Sequence, residues 1–288
     1  MSRELLVCGN IAKDVIFGGE RYGGSAPAIA INAERLGVSS GLISVVGKDT
    51  FSQEYLHYLE TNNINIDMVE KKLEKLPECR VFTNSTSSVE AVWVDNGCHE
   101  AMENMQVNLK EALRYSVVHL VSCPPGLARK LSEIGIAHLS YEPGPYIHED
   151  SSYLDFAVIN KSEMLFLNED EYQSALRISG YKSPRDFIHE SNRILIVTKG
   201  EKGSDCYTDT VDGLLDEHID AVKPEGRIID PTGAGDCYKA GFFAGYVRGR
   251  SLTECALIGS YMGAACVMQE GGILPEDVTV GVRVVCQI

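Results

Sequence analysis

The chain has 288 residues, of which 44% are hydrophobic and 23% are charged, which is ordinary usage for a globular protein that buries a sizeable core. No apolar run approaches the ~20 residues that a membrane-spanning helix needs. The net charge of −15 repels polyanions, which argues against nucleic acid as a partner but leaves room for a small phosphate ligand held by local dipoles.

The nine cysteines stand singly, with no Cys-x-x-Cys pair, and their number is odd. A reduced chain therefore fits better than a disulfide framework. The N-terminal residues MSRELLVCGN contain only a short apolar run and no small-residue cleavage site, so we expect no signal peptide. These features predict a cytoplasmic protein without a membrane partner.

In chain order, short apolar runs alternate with amphipathic segments. The first strands are predicted at 5–9 and 41–47, and the first helices at 25–37, closed by Gly37, and at 52–63. Later strands are predicted at 117–122, 156–160 and 193–200, and two long helices at about 234–249 and 252–269. Continuous apolar runs suit strands that are buried on both faces of a mainly parallel sheet. The pattern predicts an α/β layered fold with helices on both faces of the sheet.

Residues 80–102 break this alternation, because two β-rich stretches flank a turn of Ser, Thr and Asn and no helix follows at once. The pattern predicts a β-hairpin or meander. A helix-free insert favours a small separate sheet that acts as a lid, and an edge extension of the main sheet is the alternative. We predict a single domain over 1–288 with a small β lid formed by about 11–22 and 80–98.

The stretch IIDPTGAGDCYKAGFFAGYVRG (228–249) places two glycines and an aspartate where a helix begins. Backbone N–H groups at a helix N-terminus are unpaired and carry partial positive charge, and glycines let a phosphate approach them closely. Gly233, Ala234 and Gly235 could supply this cradle. Asp236 would then lie beside the anion, where a carboxylate makes sense as the base that takes a proton from an attacking hydroxyl. The alternative is an ordinary turn followed by an acidic first helical turn.

Other nucleotide and metal signatures are missing from the sequence. There is no Walker A motif and no dinucleotide fingerprint in a first βαβ unit. The protein-kinase motifs and zinc-ligand spacings are also absent.

The residues DPTGAGDCYKAGFFAG resemble the C-terminal signature of the ribokinase-like (PfkB) carbohydrate kinases. Further similar motifs occur in order along nearly the whole chain: GNIAKD (9–14), GGSAPAIAINAERLG (23–37), VVGKDTFSQEYLHYLETNNINIDMV (45–69), NKSE (160–163) and VTKGEKGS (197–204). The resemblance implies the ribokinase-like layered fold, with a mainly parallel central sheet, helices on both faces and a small β-sheet lid.

The resemblance also assigns roles to residues. It implies Asp236 as catalytic base, with Gly233, Ala234 and Gly235 in the anion hole, and Asp14, Gly23 and Gly24 as acceptor-binding residues. It implies Thr198, Gly200 and Gly203 along the nucleotide, and Asn160 and Glu163 as the residues that order magnesium. Each has a structural alternative: a turn-forming aspartate for Asp14, a helix cap for Asn160 with Glu163, and a hairpin turn for Gly200 with Gly203.

The implied activity is transfer of the γ-phosphoryl group of ATP, with Mg²⁺, to a hydroxyl of a small polyhydroxylated acceptor. The expected partners are the acceptor and the nucleotide, and the chain is expected to be a monomer or homodimer. A monovalent cation near Asp230 is a further expectation, with bracing of the loop as its alternative. The rival functions are an ADP-dependent sugar kinase and a catalytically silent ligand-binding protein on the same fold.

Two departures from the family pattern bear on the acceptor. Ala28 stands where the Gly-Gly motif usually has the asparagine that contacts the sugar, and only eight residues separate Asp14 from Gly23. Ribose held as in ribokinase is therefore not expected. Nucleosides, cyclitols such as myo-inositol, and other sugars stay open.

Overall fold

A nine-stranded sheet forms the centre of the computed structural model, which describes residues 3–16, 18–83, 89–188, 193–210 and 213–287. The strands of these residues are β1 (Arg3–Cys8), β2 (Ala12–Ile16), β3 (Gly19–Gly23), β4 (Ser40–Val46), β5 (Asn65–Lys71), β6 (Glu78–Thr83), β7 (Val89–Asp95), β8 (Tyr115–Val121), β9 (His138–Glu142), β10 (Met164–Asn168), β11 (Ile194–Thr198), β12 (Ser204–Thr210) and β13 (Gly213–Ile219). The main sheet has the order β13-β12-β11-β10-β9-β8-β1-β4-β5. Its strands are parallel except β12, which runs antiparallel to both neighbours.

The central strands are apolar on both faces, and this explains their continuous hydrophobic runs. All seven residues of β4 are buried, as are the first four of β10 and of β11. Burial on both faces requires layers of helices on both sides of a parallel sheet. The helices of the described residues are α1 (Ser25–Arg35), α2 (Thr50–Thr61), α3 (Leu109–Ala112), α4 (Pro125–Ser132), α5 (Phe156–Ile159), α6 (Glu169–Ser179), α7 (Arg185–Ile188), α8 (Ala234–Tyr246), α9 (Leu252–Cys266) and α10 (Glu276–Val285). The α/β layered fold predicted from the sequence is confirmed.

A smaller sheet lies apart from the main one and has the strand order β3-β2-β6-β7. β2 runs antiparallel to β3 and parallel to β6, and β6 and β7 form the antiparallel hairpin that the sequence predicts. The separate sheet confirms the prediction over an edge extension of the main sheet. Its use as a lid stays a prediction.

Two parts of the prediction differ from the structure. Residues 156–160 were expected to be a strand, but they form the short helix α5, in which the Asp155 carboxylate accepts from the Ala157 N–H at 2.9 Å. A four-residue apolar run does not distinguish a buried strand from a buried helical turn. The neighbouring strand is β10, which begins after Glu163. α10 was not predicted at all.

The segment 271–274 is fixed to α1 by one buried side chain. Asn32 donates from Nδ2 to the Gly272 carbonyl at 2.7 Å, and its Oδ1 accepts from the Leu274 N–H at 3.0 Å. In the described part of the chain, no helix is long and apolar enough to span a membrane.

We predict that Asn32→Ala lowers the free energy of unfolding by about 2–3 kcal/mol, because the buried Leu274 N–H loses its acceptor. Asn65→Ala is the matched control. Within the described ranges the Asn65 side chain bonds only to the exposed Asp67, and its loss should cost about 0.5 kcal/mol. Urea unfolding of both variants measures the difference. Equal losses would show that Asn32 does not fix the segment.

Candidate active site

The loop before α8 is held in place by the buried carboxylate of Asp230. Its Oδ1 accepts from the Thr232 N–H at 2.9 Å, and its Oδ2 accepts from the Gly271 N–H at 3.0 Å. Gly233 follows with φ +78°, and a Cβ there would lie 2.3 Å from Cα of Gly272. Only glycine fits such a position. The loop therefore has one geometry, which sets where α8 begins.

The first turn of α8 is open toward solvent. A Cβ built on Gly235 would have no heavy atom within 4 Å. Among the described residues, no acceptor is found for the N–H groups of Gly235 and Asp236, as expected for the first turn of a helix. This arrangement can take a phosphate oxygen against the backbone, in the partial positive field of a 13-residue helix.

Asp236 is joined to the main sheet through Lys239, one turn along α8. The Lys239 ammonium lies 3.0 Å from the Asp236 carboxylate and donates to both oxygens of Glu142, at 2.7 and 2.5 Å. Glu142 is the last residue of β9 and is buried. Burial alone would raise the pKa of Glu142, but Lys239 and His119 outweigh it and lower that pKa to about 2. The pair fixes Asp236 at the carboxyl edge of the sheet.

A further carboxylate, that of Glu171, lies at the same edge. Burial first, and then the charge of Glu142, raise the pKa of Glu171 to about 8. Glu171 also completes a capping box with Asn168 at the start of α6: Asn168 Oδ1 accepts from the Glu171 N–H at 2.8 Å and the Asn168 N–H donates to Glu171 Oε2 at 3.0 Å. The surroundings of Glu171 thus oppose its ionisation, and a divalent cation nearby would favour its charged form.

Asn160 and Glu163, expected to order magnesium, lie elsewhere. Glu163 precedes β10, at the amino edge of the sheet, and bonds to His138 Nδ1 at 2.6 Å and to the Tyr246 hydroxyl at 2.8 Å. Tyr246 ends α8, ten residues and therefore ~15 Å along the axis from Asp236. Asn160 Oδ1 accepts from Arg193 at 3.4 Å. The structure does not bring this pair to Asp236, because the segment before them is a helical turn rather than a strand.

The sequence does contain a pattern that indicates Glu171. Asn168 and Glu171 have the same Asn-x-x-Glu spacing as Asn160 and Glu163, and they follow the apolar run that does form a strand. No local sequence pattern predicts the contact between Lys239 and Glu142, since 97 residues separate them.

Asp14 and Asp236 line one pocket, with an empty volume of about 540 Å³ that is partly open to solvent. The other lining residues are Asn10, Tyr22, Gly23, Gly24, Ser25, Ala28, Cys79, Thr232, Gly233, Gly272 and Ile273. Asp14 lies on β2 of the small sheet. Burial, and then the charges of Asp236 and Asp230, raise the pKa of Asp14 to about 7.

The glycines beside Asp14 are required by close approach. A Cβ on Gly23 would lie 2.1–2.3 Å from the Asp14 carboxylate, and Gly24 has φ +98° with the Asn10 carbonyl 2.4 Å from where its Cβ would be. The Tyr55 hydroxyl donates to the Gly23 carbonyl at 2.8 Å. Asp14, Gly23 and Gly24 are therefore brought together, and Asn10 is a pocket residue that sequence reasoning missed.

Thr198, Gly200 and Gly203 lie at the carboxyl end of β11, the same edge that carries Asn168. Gly203 has φ +91° and abuts the Ile219 carbonyl, so it serves the turn into β12. Gly200 has φ +57° and faces open space. The turn predicted as an alternative is present, and it leaves a backbone surface that a nucleotide could approach.

Comparisons with known proteins match one family over most of the chain. The pfkB family carbohydrate kinase model matches residues 17–278. A nucleoside kinase from Methanocaldococcus jannaschii is 31% identical over 253 residues, 87% of this chain and 80% of that protein, and a cytidine kinase from Thermococcus kodakarensis is 31% identical over 270 residues, 89% and 93% of the two chains.

Solved structures show the same fold. The crystal structure of Methanocaldococcus jannaschii nucleoside kinase, an archaeal member of the ribokinase family, superimposes with a TM-score of 0.84 at 29% identity and covers 98% of both chains. A Burkholderia thailandensis nucleoside kinase in complex with inosine gives a TM-score of 0.83 at 21% identity, with 97% and 98% covered. With a family match over most of its length, the chain belongs to the pfkB family of carbohydrate kinases.

Proposed function

We propose that the protein transfers the γ-phosphoryl group of ATP to a hydroxyl of a nucleoside. The observation that carries the proposal is the shared pocket, in which Asp14 on the small sheet faces Asp236 at the open first turn of α8. One carboxylate can hold an acceptor by its hydroxyls while the other takes a proton beside a bound phosphate. The nucleoside kinases among the relatives, together with Ala28 in place of a sugar-binding asparagine, favour a nucleoside over a free sugar.

Each of these residues has its own proposed role in the reaction. Asp14 accepts hydrogen bonds from two neighbouring hydroxyls of the acceptor and fixes its orientation. Asp236 takes the proton of the attacking hydroxyl, and Lys239 is a positioning residue that holds the Asp236 carboxylate. The N–H groups of Gly235 and Asp236 stabilise the charge on the transferring group.

Magnesium would be held by Glu171 and Asp236 through water, rather than by Asn160 and Glu163. When bound, the ion neutralises charge on the phosphates. We propose that Asp230 braces the loop, because each of its two oxygens accepts a backbone N–H group.

The proposed nucleotide site lies at the same carboxyl edge of the main sheet. We propose that the nucleotide lies along Thr198, Gly200 and Gly203. We also propose that the small sheet, with the segments predicted at about 11–22 and 80–98, acts as a lid on a single domain over 1–288.

All nine cysteines are free thiols, which supports a reducing, cytoplasmic location.

We predict that a coupled ADP-release screen over nucleosides, sugars and inositols shows a nucleoside as the preferred acceptor with ATP as donor.

Asp236→Asn should lower kcat at least ~100-fold with little change in nucleotide affinity, because a positioned base contributes about 10²–10⁴ to the rate. Asp277→Asn, an acidic residue in the first turn of α10, is the control and should be fully active. Turnover with no acceptor, or with ADP alone as donor, would contradict the function, and an active Asp236→Asn would contradict the base.

The anion cradle is tested by Gly235→Val. The new side chain enters the open space in front of the helix, so kcat should fall at least about 10-fold while the melting temperature changes little. Gly281→Val is the matched control, since Gly281 is likewise a helical glycine facing open space. Full activity of Gly235→Val would place the phosphate elsewhere.

Asp14→Asn should weaken catalysis and stabilise the fold at the same time. The charge-assisted bonds lost to the acceptor lower kcat/KM for that substrate by about 10-fold or more, with the ATP affinity unchanged. Folding raises the pKa of Asp14 to about 7, so its ionisation opposes folding. This penalty is absent below pH ~4, grows as the pH rises from 4 to 7, and is constant above pH 7, at on the order of 4 kcal/mol.

Urea unfolding at pH 5 and pH 8 measures the effect on stability. Asp14→Asn should gain more stability over the wild type at pH 8 than at pH 5, whereas the same change at Asp67, an exposed residue of β5, should show no such difference. A gain that does not depend on pH, or an effect on ATP alone, would overturn the environment or the role assigned to Asp14.

A further inference from the structure

Asn10 is a polar residue, only 4% exposed, that follows β1 at the carboxyl edge of the main sheet. Among the described residues, no hydrogen-bond partner is found for its side-chain amide, whose atoms are not closed off from solvent. The residue lines the pocket with Asp14 and Asp236, so the amide can reach a bound acceptor. An unpaired amide in such a buried residue costs about 1–3 kcal/mol, and native proteins rarely keep one without a use for it.

The backbone on either side of Asn10 is fixed, which leaves the amide little freedom to find another partner. The Gly9 carbonyl accepts from the Ser44 hydroxyl at 2.6 Å, and the Gly9 N–H donates to the Ile43 carbonyl at 3.2 Å. On the other side, the Asn10 carbonyl oxygen lies 2.4 Å from the place that a Cβ on Gly24 would take. Gly24 can therefore pack directly against Asn10 only because it has no side chain.

A row of close contacts leads from Asn10 to the phosphate-binding turn. Ala28 follows Gly24 by one turn of α1, and its N–H donates to the Gly24 carbonyl at 3.3 Å. A Cβ on Gly272 would lie 3.6 Å from Ala28 Cβ and 3.1 Å from Gly233 Cα. All five residues line the pocket. Asn10 and Gly233 are thus the two ends of this row, and Gly233 is the end where α8 begins.

We propose that Asn10 binds the nucleobase of the acceptor, with its side-chain amide donating a hydrogen bond to the base. The inference rests on the proposed nucleoside function and adds a residue that recognises the base. A nucleoside has its parts in the matching order. Its reactive hydroxyl belongs at Asp236, its vicinal hydroxyls at Asp14, and its base at the end of the row that is farthest from Gly233.

The chemistry of an amide suits a base, whereas the two carboxylates suit hydroxyls. Ionised Asp14 and Asp236 only accept hydrogen bonds, so they pair with the hydroxyl donors of the acceptor. An amide also donates, and purines and pyrimidines both carry an acceptor beside the glycosidic bond, at purine N3 and pyrimidine O2. Among the described residues that line the pocket, no other side chain is an amide. Asn10 can therefore serve a base of either kind.

The test compares nucleosides with methyl β-ribofuranoside, an acceptor with the same hydroxyls and no base. Asn10→Leu keeps the approximate size of the side chain and removes its donor. With ATP saturating, kcat/KM should fall about 10-fold for nucleosides and stay unchanged for the riboside. Asn65→Leu, the same change on β5, is the matched control and should match the wild type with both acceptors.

The stability of Asn10→Leu is a separate check on the unpaired amide. Its melting temperature should not fall, because no hydrogen bond within the protein is lost. A fall of several degrees would show that the amide is paired in the folded protein, and would overturn the inference.

A further measurement uses the unchanged site. In ¹⁵N-labelled wild-type protein, the side-chain amide signal of Asn10, identified by its absence from Asn10→Leu, should shift on addition of a nucleoside but not of the riboside. Equal loss of kcat/KM for all acceptors in Asn10→Leu, loss for none, or a silent amide signal would overturn the inference while the nucleoside kinase activity stands. A wild type that prefers the riboside to every nucleoside would instead overturn the proposed acceptor, and the inference with it.

Discussion

The buried ammonium of Lys239 links the two elements on which the candidate active site depends. It bonds to Glu142 at the end of β9 and to Asp236 at the start of α8, and it is itself only 6% exposed. Removal of one partner from a buried ion pair leaves an uncompensated charge and is strongly destabilising. The first turn of α8 therefore cannot drift away from the sheet edge, and the unpaired N–H groups of that turn keep a fixed direction.

The same interaction leaves the site short of positive charge. Lys239 satisfies Glu142, whose pKa falls to about 2, but Glu171 and Asp14 remain in surroundings that oppose their ionisation, with pKa values of about 8 and 7. Repulsion of this kind persists only where the surrounding structure fixes the groups, and it is typical of functional sites. A hydrated divalent cation with its nucleotide would relieve it at Glu171, and acceptor hydroxyls would relieve it at Asp14.

The parts of this site that could be predicted from sequence are those made within one short stretch of chain. Gly233, Gly235 and Asp236 are consecutive or nearly so, and the chemistry of a helix start can be inferred from them directly. Lys239 and Glu142 meet only through the fold. The pair Asn160 and Glu163 was predicted because the apolar run before it was taken for a strand, and Asn168 and Glu171 were overlooked. This difference of eight residues along the chain moved the expected metal site to the opposite edge of the sheet.

The two edges of the sheet show why polar residues alone do not identify a site. At the amino edge, Glu163 is paired with both His138 and Tyr246, so its polar atoms are satisfied by the protein itself. At the carboxyl edge, Glu171 is buried beside the like charge of Glu142, and on the small sheet the partly buried Asp14 lies in a pocket with the like charge of Asp236. Folding alone would favour neutral replacements at these two positions. Their unfavourable energies make sense if each is offset when ligands bind.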